Sequence, residues 1–209
     1  MFTAALTRHL LRLGVNVRAV KPACSGGRED ARALHDALGG TVPIDAINPW
    51  HYRKPTAPIL AARAAGRPLE KGEMLMFLRA SSQSCDLLLI EGAGGLLSPM
   101  GEGFDARDLM VALKARPWIV CPNRLGAVGQ SRMVLESLSP AVRKRAQVVL
   151  VDPPSAARDA STRSNRALLT EWVGGDRHHR FPFLKAMDQA VRRDVFAGVE
   201  SVLRADLRT

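Results

Sequence analysis

Glu91 stands directly after the apolar run Leu87-Leu88-Leu89-Ile90 and directly before Gly92-Ala93-Gly94-Gly95. A carboxylate at the end of a short apolar strand can hold a divalent cation, or its water, against phosphate oxygens; this is the Walker B arrangement. Glycines after it let backbone and ligand approach closely. A structural turn alone needs no acid there. Lys21 opens the segment Lys21-Pro22-Ala23-Cys24-Ser25-Gly26-Gly27. A lysine so placed can set a compact positive charge on a phosphate or carboxylate, or it can be a solvated lysine in a polar loop. Asp30 follows at the start of a helical pattern, where an acid either complements the helix dipole or reaches a phosphate-bound magnesium ion. Further on, Asn123-Arg124-Leu125-Gly126-Ala127 leads into another helix. Its free N–H groups can bind an anion, or the segment is an ordinary strand-to-helix turn.

The elements that must position these residues follow from periodicity. Phe2, Leu6, Leu10 and Leu13 recur at helical spacing, and Gly14 closes that helix. Val15 to Val20 reads as a strand, 21–27 as a loop, Glu29 to Leu38 as a helix and 41–58 as irregular chain. Short helices are predicted over Pro58–Ala65 and Lys71–Ser84. Leu87–Ile90 and Trp118–Cys121 read as buried parallel strands, being apolar on both faces. Helices over Ala106–Ala115, Ala127–Leu138 and Ala160–Val173 alternate with a strand at Val148–Val151 and an extended piece ending at Phe181-Pro182-Phe183. A last helix covers Asp188–Leu207. This alternation predicts an α/β fold, a mostly parallel sheet flanked by helices, in one domain over residues 1–209. Ligands in such folds bind beyond the carboxyl ends of the strands, where the residues above are found.

Composition narrows the class. Charged residues make up 24% of the 209, close to the ordinary globular figure of about 25%. No apolar run approaches the ~18 residues of a membrane span, so no membrane partner is expected. Met1 to Leu6 has neither the basic start nor the cleavage site of a secretory leader, and the cytoplasm is the expected compartment. Cys24, Cys85 and Cys121 are widely spaced and odd in number, which argues against a disulfide framework or zinc ribbon. Cys85 and Cys121, at the edges of apolar runs, read as small buried thiols. The net charge of +10 is carried by scattered arginines. The densest cluster, Arg143-Lys144-Arg145, has no interleaved aromatic for stacking bases, so no nucleic-acid partner is expected.

Taken in order, these segments resemble the dethiobiotin synthase family. The resemblance is carried by Lys21-Pro22-Ala23-Cys24-Ser25-Gly26, Asp30, Ile47-Asn48-Pro49-Trp50, Pro55-Thr56-Ala57-Pro58 and Gly66-Arg67-Pro68-Leu69-Glu70. It continues through Ile90-Glu91-Gly92-Ala93-Gly94-Gly95-Leu96, Ser98-Pro99 and Arg124-Leu125-Gly126. It runs from about residue 5 to about 138 and is looser beyond.

The resemblance implies a P-loop NTPase-like fold and an ATP-dependent carboxylation and ring closure of 7,8-diaminononanoate with CO₂ in biotin biosynthesis. Lys21 is the implied catalytic residue. Ser25, Leu125 and Gly126 are implied to bind substrate, the last two across a homodimer interface. Asp30, Glu91, Gly92, Ala93, Gly94, Asp152, Phe181, Pro182 and Phe183 are implied to face ATP, and Asp30 and Glu91 to hold Mg²⁺. There are departures. The family's adenine-reading asparagine-aspartate pair falls on Val151-Asp152, so the amide is absent, although Asp152 can accept from an amino group. Gly129-Gln130 stands where asparagine and histidine are frequent. The resemblance places a first strand and phosphate loop ahead of the opening helix, and the sequence is expected to lack both. That implies impaired activity, an exposed strand edge, and upstream coding sequence for both elements ending directly before Met1. The alternatives are a non-catalytic or regulatory relative and a partition-type ATPase.

Overall fold

The computed structural model describes residues 1–157, 159–185 and 193–206. The chain divides into two compact units, one formed by Thr3–Ala115 with Met1, the other by Arg116–Thr209 with Phe2.

In the first unit, α1 (Phe2–Arg12) ends where Gly14 adopts φ +76° and Val15 N–H donates to the Leu10 carbonyl. A left-handed backbone of this kind favours glycine. β1 (Val17–Val20) follows, then β2 (Ala23–Ser25), α2 (Glu29–Ala37), the one-turn α3 (Ile44–Ile47) and β3 (Trp50–Tyr52). α4 (Pro58–Ala64), α5 (Lys71–Ser82), β4 (Leu87–Ile90), the hairpin β5 (Pro99–Gly101) and β6 (Phe104–Asp105), and α6 (Ala106–Ala112) complete it. β1 pairs with β4 in parallel, Val17 opposite Leu87 and Val20 opposite Ile90. β2 pairs with β3, also in parallel. Met74, Leu78, Met100, Phe104 and Tyr52 make the core beneath, and the Tyr52 hydroxyl donates to the Arg67 carbonyl at 2.9 Å.

The second unit is a three-stranded parallel sheet in the order β7 (Trp118–Pro122), β8 (Gln147–Val151), β9 (His178–Phe181). Its helices are α7 (Ala127–Glu136), α8 (Pro140–Arg145), α9 (Ala160–Val173) and α10 (Arg193–Asp206), with a 3-10 turn at Ser155–Ala157. The central β8 is fully buried at Val148 and Val149. Asp159 caps α9, accepting from Thr162 N–H, while the Thr162 hydroxyl receives the Asp159 N–H. The expected last helix began at Asp188; positions 188–192 and 207 lie outside the described residues.

Several expectations change. The segment read as a loop contains β2, and the irregular stretch contains α3 and β3. Three residues are too few for an alternation to show, and the β2–β3 pair joins positions 27 apart, Ala23 with Trp50. The β5–β6 hairpin is masked by Pro99, Gly101 and Gly103. At Gly101 an added Cβ would lie 2.2 Å from the Leu69 carbonyl oxygen, so packing rather than propensity explains that residue. α8, starting at Pro140 after Ser139, holds the Arg143-Lys144-Arg145 cluster. Proline is favoured at a first helical position. β4 and β7 are not buried as expected: Ile90 is 37% and Val120 46% exposed. Among the described residues each has one hydrogen-bonded neighbour strand, β1 and β8 respectively. Cys85 is only half-buried, unlike Cys121.

Candidate functional site

The β1–β4 register decides the first unit's site. Since Val20 is opposite Ile90, Lys21 and Glu91 leave the pair at the same level, and Glu91 N–H donates to the Val20 carbonyl at 2.8 Å. Lys21 Nζ lies 3.1 Å from Glu91 Oε1, 2.9 Å from Asp30 Oδ2 and 3.2 Å from the Gly92 carbonyl oxygen. Asp30 is the second residue of α2 and about half exposed, whereas the Lys21 side chain is 9% exposed. Burial works against the Lys21 ammonium, but Glu91 and Asp30 outweigh it and hold the amine above its usual range. Burial likewise works against the Asp30 carboxylate, and the hydrogen bond and charge of Lys21 reverse that, holding it below the usual carboxylate range. The lysine is therefore a cation at neutral pH, clamped between two carboxylates.

Gly92 faces open space, with nothing within 4 Å of where a Cβ would stand. Gly94, after Ala93, takes φ +74°, and Gly95 N–H donates to Ser98 Oγ at 3.0 Å, closing the turn over residues 95–98 that follows. Ser25 ends β2 and its hydroxyl donates to the Thr56 carbonyl. Gly26, at φ +80°, donates to the Tyr52 carbonyl at 2.8 Å.

In the second unit Gly126 (φ +89°) precedes α7, and Leu125 is 80% exposed. Asp152 follows β8 and is 2% exposed. Its Oδ1 accepts from Asn123 Nδ2 at 2.8 Å, and its Oδ2 from Arg180 Nε at 2.7 Å and Nη2 at 2.6 Å. Asn123 Oδ1 accepts from Asn165 Nδ2 at 2.9 Å, and the same Nδ2 reaches the Arg124 carbonyl at 2.9 Å. The Phe181 ring is buried against Phe196, 5.7 Å between centroids, while Phe183 is partly exposed. Lys21, Asp30, Glu91 and Gly92 thus form one cluster, and Asp152 a separate network with Asn123 and Arg180. Sequence reading assigned no role to Asn48, Arg28, Asn165 or Arg180. The signal for Asn48 was its place in the family-like segment Ile47-Asn48-Pro49-Trp50, which by itself names no partner.

Parallel strands with carboxylate, lysine and glycines at their carboxyl ends define a P-loop NTPase-like α/β protein. An AAA domain family matches residues 1–186. The ATP-dependent dethiobiotin synthetase BioD of Rhodococcus erythropolis is 35% identical over 178 residues, 82% of this chain and 77% of that protein. Proteins of the same name from Mycobacterium avium and an Anaeromyxobacter species are 38% and 35% identical over 141 and 140 residues. Those matches cover 66% and 65% of this chain, and 62% and 63% of the two relatives. The chain belongs to the dethiobiotin synthetase family.

Proposed function

We propose that the protein carries out ATP-dependent ring closure of 7,8-diaminononanoate with CO₂ to dethiobiotin, as a cytoplasmic homodimer. The observation that carries this reading is the convergence of Lys21 with Asp30 and Glu91 beyond the paired ends of β1 and β4. One amine of the substrate adds to CO₂ and loses a proton, giving a carbamate. A carbamate oxygen takes the γ-phosphoryl group of ATP, and ADP leaves. The second amine attacks the carbonyl carbon and loses its proton; phosphate departs with the bonding pair, and the cyclic urea is closed.

Lys21, held protonated, serves as an electrostatic stabiliser rather than a base, opposing the charge that grows on the carbamate and the transferring phosphoryl oxygens. The Ser25 hydroxyl donates its hydrogen bond to the Thr56 carbonyl and keeps its lone pairs for a substrate N–H. Open space at Gly92 admits the ligand. Two carboxylates that already share one cation suit Mg²⁺, which takes one or two carboxylates together with phosphate oxygens and water. Asp30 and Glu91 would hold it, and it would neutralise triphosphate charge. The homodimer is supported by exposed apolar side chains in the second unit: Leu125, Met133 (68%) and Trp172 (59%). Among the described residues no helix is long and apolar enough to cross a membrane.

Incubation with the diamine, bicarbonate, ATP and Mg²⁺ tests the reading. Dethiobiotin detected by mass spectrometry, in step with phosphate release, is expected. Diamine binding without product would favour a non-catalytic relative.

A further inference from the structure

Asn48 is wholly buried, between α3 and β3; its backbone N–H donates to the Ile44 carbonyl, while both polar atoms of its side chain face the segment between Lys21 and Arg28. Its Nδ2 donates to the Lys21 carbonyl at 2.7 Å and lies 3.4 Å from that of Pro22. Its Oδ1 accepts from Cys24 Sγ at 3.0 Å and from Arg28 Nε at 3.1 Å. Arg28 Nη2 returns to the Asn48 carbonyl at 2.9 Å and to Asp45 Oδ1 at 2.8 Å. The other face of the same strand end is also pinned, because Lys21 N–H donates to the Ile47 carbonyl at 3.0 Å.

These contacts join two pieces of chain. Lys21 continues β1, whereas Arg28 is the residue before α2, with Asp30 in the first turn. One amide side chain ties the backbone of the first to the guanidinium at the head of the second, and the 2.9 Å Lys21–Asp30 contact spans the same gap. An amide is the side chain that fits, because two donors face two carbonyls while a doubly accepting oxygen faces a thiol and a guanidinium. Aspartate would turn a carboxylate oxygen toward the Lys21 carbonyl. Leucine would leave the Lys21 carbonyl and Arg28 Nε without these buried partners.

We propose that Asn48 is the positioning residue of this site, setting Lys21 and the α2 N-terminus in register so that the ammonium meets Asp30 and Glu91. Its catalytic meaning rests on the proposed function; its geometric meaning does not.

The test uses the full chain with ¹⁵N-labelled lysine. The Lys21 ammonium signal is assigned by its loss in Lys21→Met. In the wild type a clamped, nearly buried ammonium exchanges its hydrogens slowly enough to be observed. Asn48→Asp and Asn48→Ala should broaden or abolish that signal while the folded spectrum persists. Arg28→Met, a half-buried position, does the same through the other arm if the Asn48 variants fail to fold. Where turnover is present, Asn48→Asp should lower kcat by about 10²-fold with the KM for ATP little changed. In a Lys21→Ala background it should have no further effect on kcat. Asn48 and Arg28 variants that lose stability but keep an unaltered Lys21 signal would reduce Asn48 to a packing residue and overturn the proposal. Absent turnover in the wild type bears on the proposed function alone, and the ammonium signal still decides for Asn48.

Discussion

Lys21 and Glu91 leave adjacent parallel strands at the same level, and the ammonium of one lies 3.1 Å from a carboxylate oxygen of the other. The strand pairing delivers two opposite charges to one point, and α2 adds Asp30 from outside the pair. A cation is held there before any ligand arrives, as preorganised electrostatic catalysis requires.

Replacing that cation is the direct check. Lys21→Ala should lower kcat by about 10²–10³, the usual loss on removing one charge-stabilising donor. Steady-state phosphate release, compared with a urea unfolding curve, separates chemistry from folding. Near-normal turnover in a folded variant would remove Lys21 from the mechanism.

The same ammonium competes with any divalent ion for Asp30 and Glu91. Lys21→Met should therefore bind Mn²⁺ more tightly than the wild type in the absence of nucleotide, followed by electron paramagnetic resonance. Asp30→Asn should weaken binding in both backgrounds. Unchanged Mn²⁺ affinity in Lys21→Met would mean that the metal and the lysine do not share these oxygens.

Much of this site was legible because its residues follow strands with strong patterns. Leu87–Ile90 is a run long enough to place Glu91, and Gly14 ends α1 so that β1 and Lys21 fall where expected. What stayed hidden depends on partners distant in sequence. Asn48 looks like a turn residue until Lys21, Cys24 and Arg28 surround it. Arg180 sits in an extended stretch, and only the pairing of β8 with β9 brings it to Asp152. Apolar content also overstated burial at Ile90 and Val120, since a run of apolar residues records what a strand can bury, not what lies beside it.

Acid should weaken the second unit through two adjacent histidines. His178 Nε2 lies 2.9 Å from Thr170 Oγ1, and His179 Nε2 lies 2.8 Å from Gln147 Oε1, with the His179 ring stacked on Trp118. Burial disfavours both imidazolium ions. Arg166 lowers His178 further against a smaller opposing pull from Asp176, and His178 lowers His179. Both therefore titrate below the usual 6.5 in the folded chain. The unfolded chain binds these protons first, so the contribution to stability is full above about pH 6.5 and is lost as pH falls through the folded-state values. The urea midpoint should drop between pH 7.5 and 5, and the double variant His178→Asn, His179→Gln should flatten that slope. An unchanged slope in the double variant would place the acid sensitivity elsewhere.

The last expectation concerns which nucleotide is used. Val151 offers no amide, and both Asp152 oxygens already accept hydrogen bonds, from Asn123 and from Arg180. A base amino group presented to this carboxylate would compete with a guanidinium held by two nitrogens at 2.7 and 2.6 Å. Discrimination between bases depends on such hydrogen bonds, because an analogue is rejected when buried polar groups are left unpaired. Values of kcat/KM for ATP, CTP and GTP should accordingly fall within about tenfold of one another. Arg180→Met separates the two roles of the pair. It leaves the buried carboxylate without its cation, and with the arginine half exposed the loss should be about 2 kcal/mol, read from the urea midpoint. It also releases Oδ2 as an acceptor, so ATP and CTP, whose amino groups at adenine C6 and cytosine C4 stand where guanine carries its C6 carbonyl, should gain over GTP. A strong ATP preference in the wild type, unaltered in Arg180→Met, would show that groups other than Asp152 read the base.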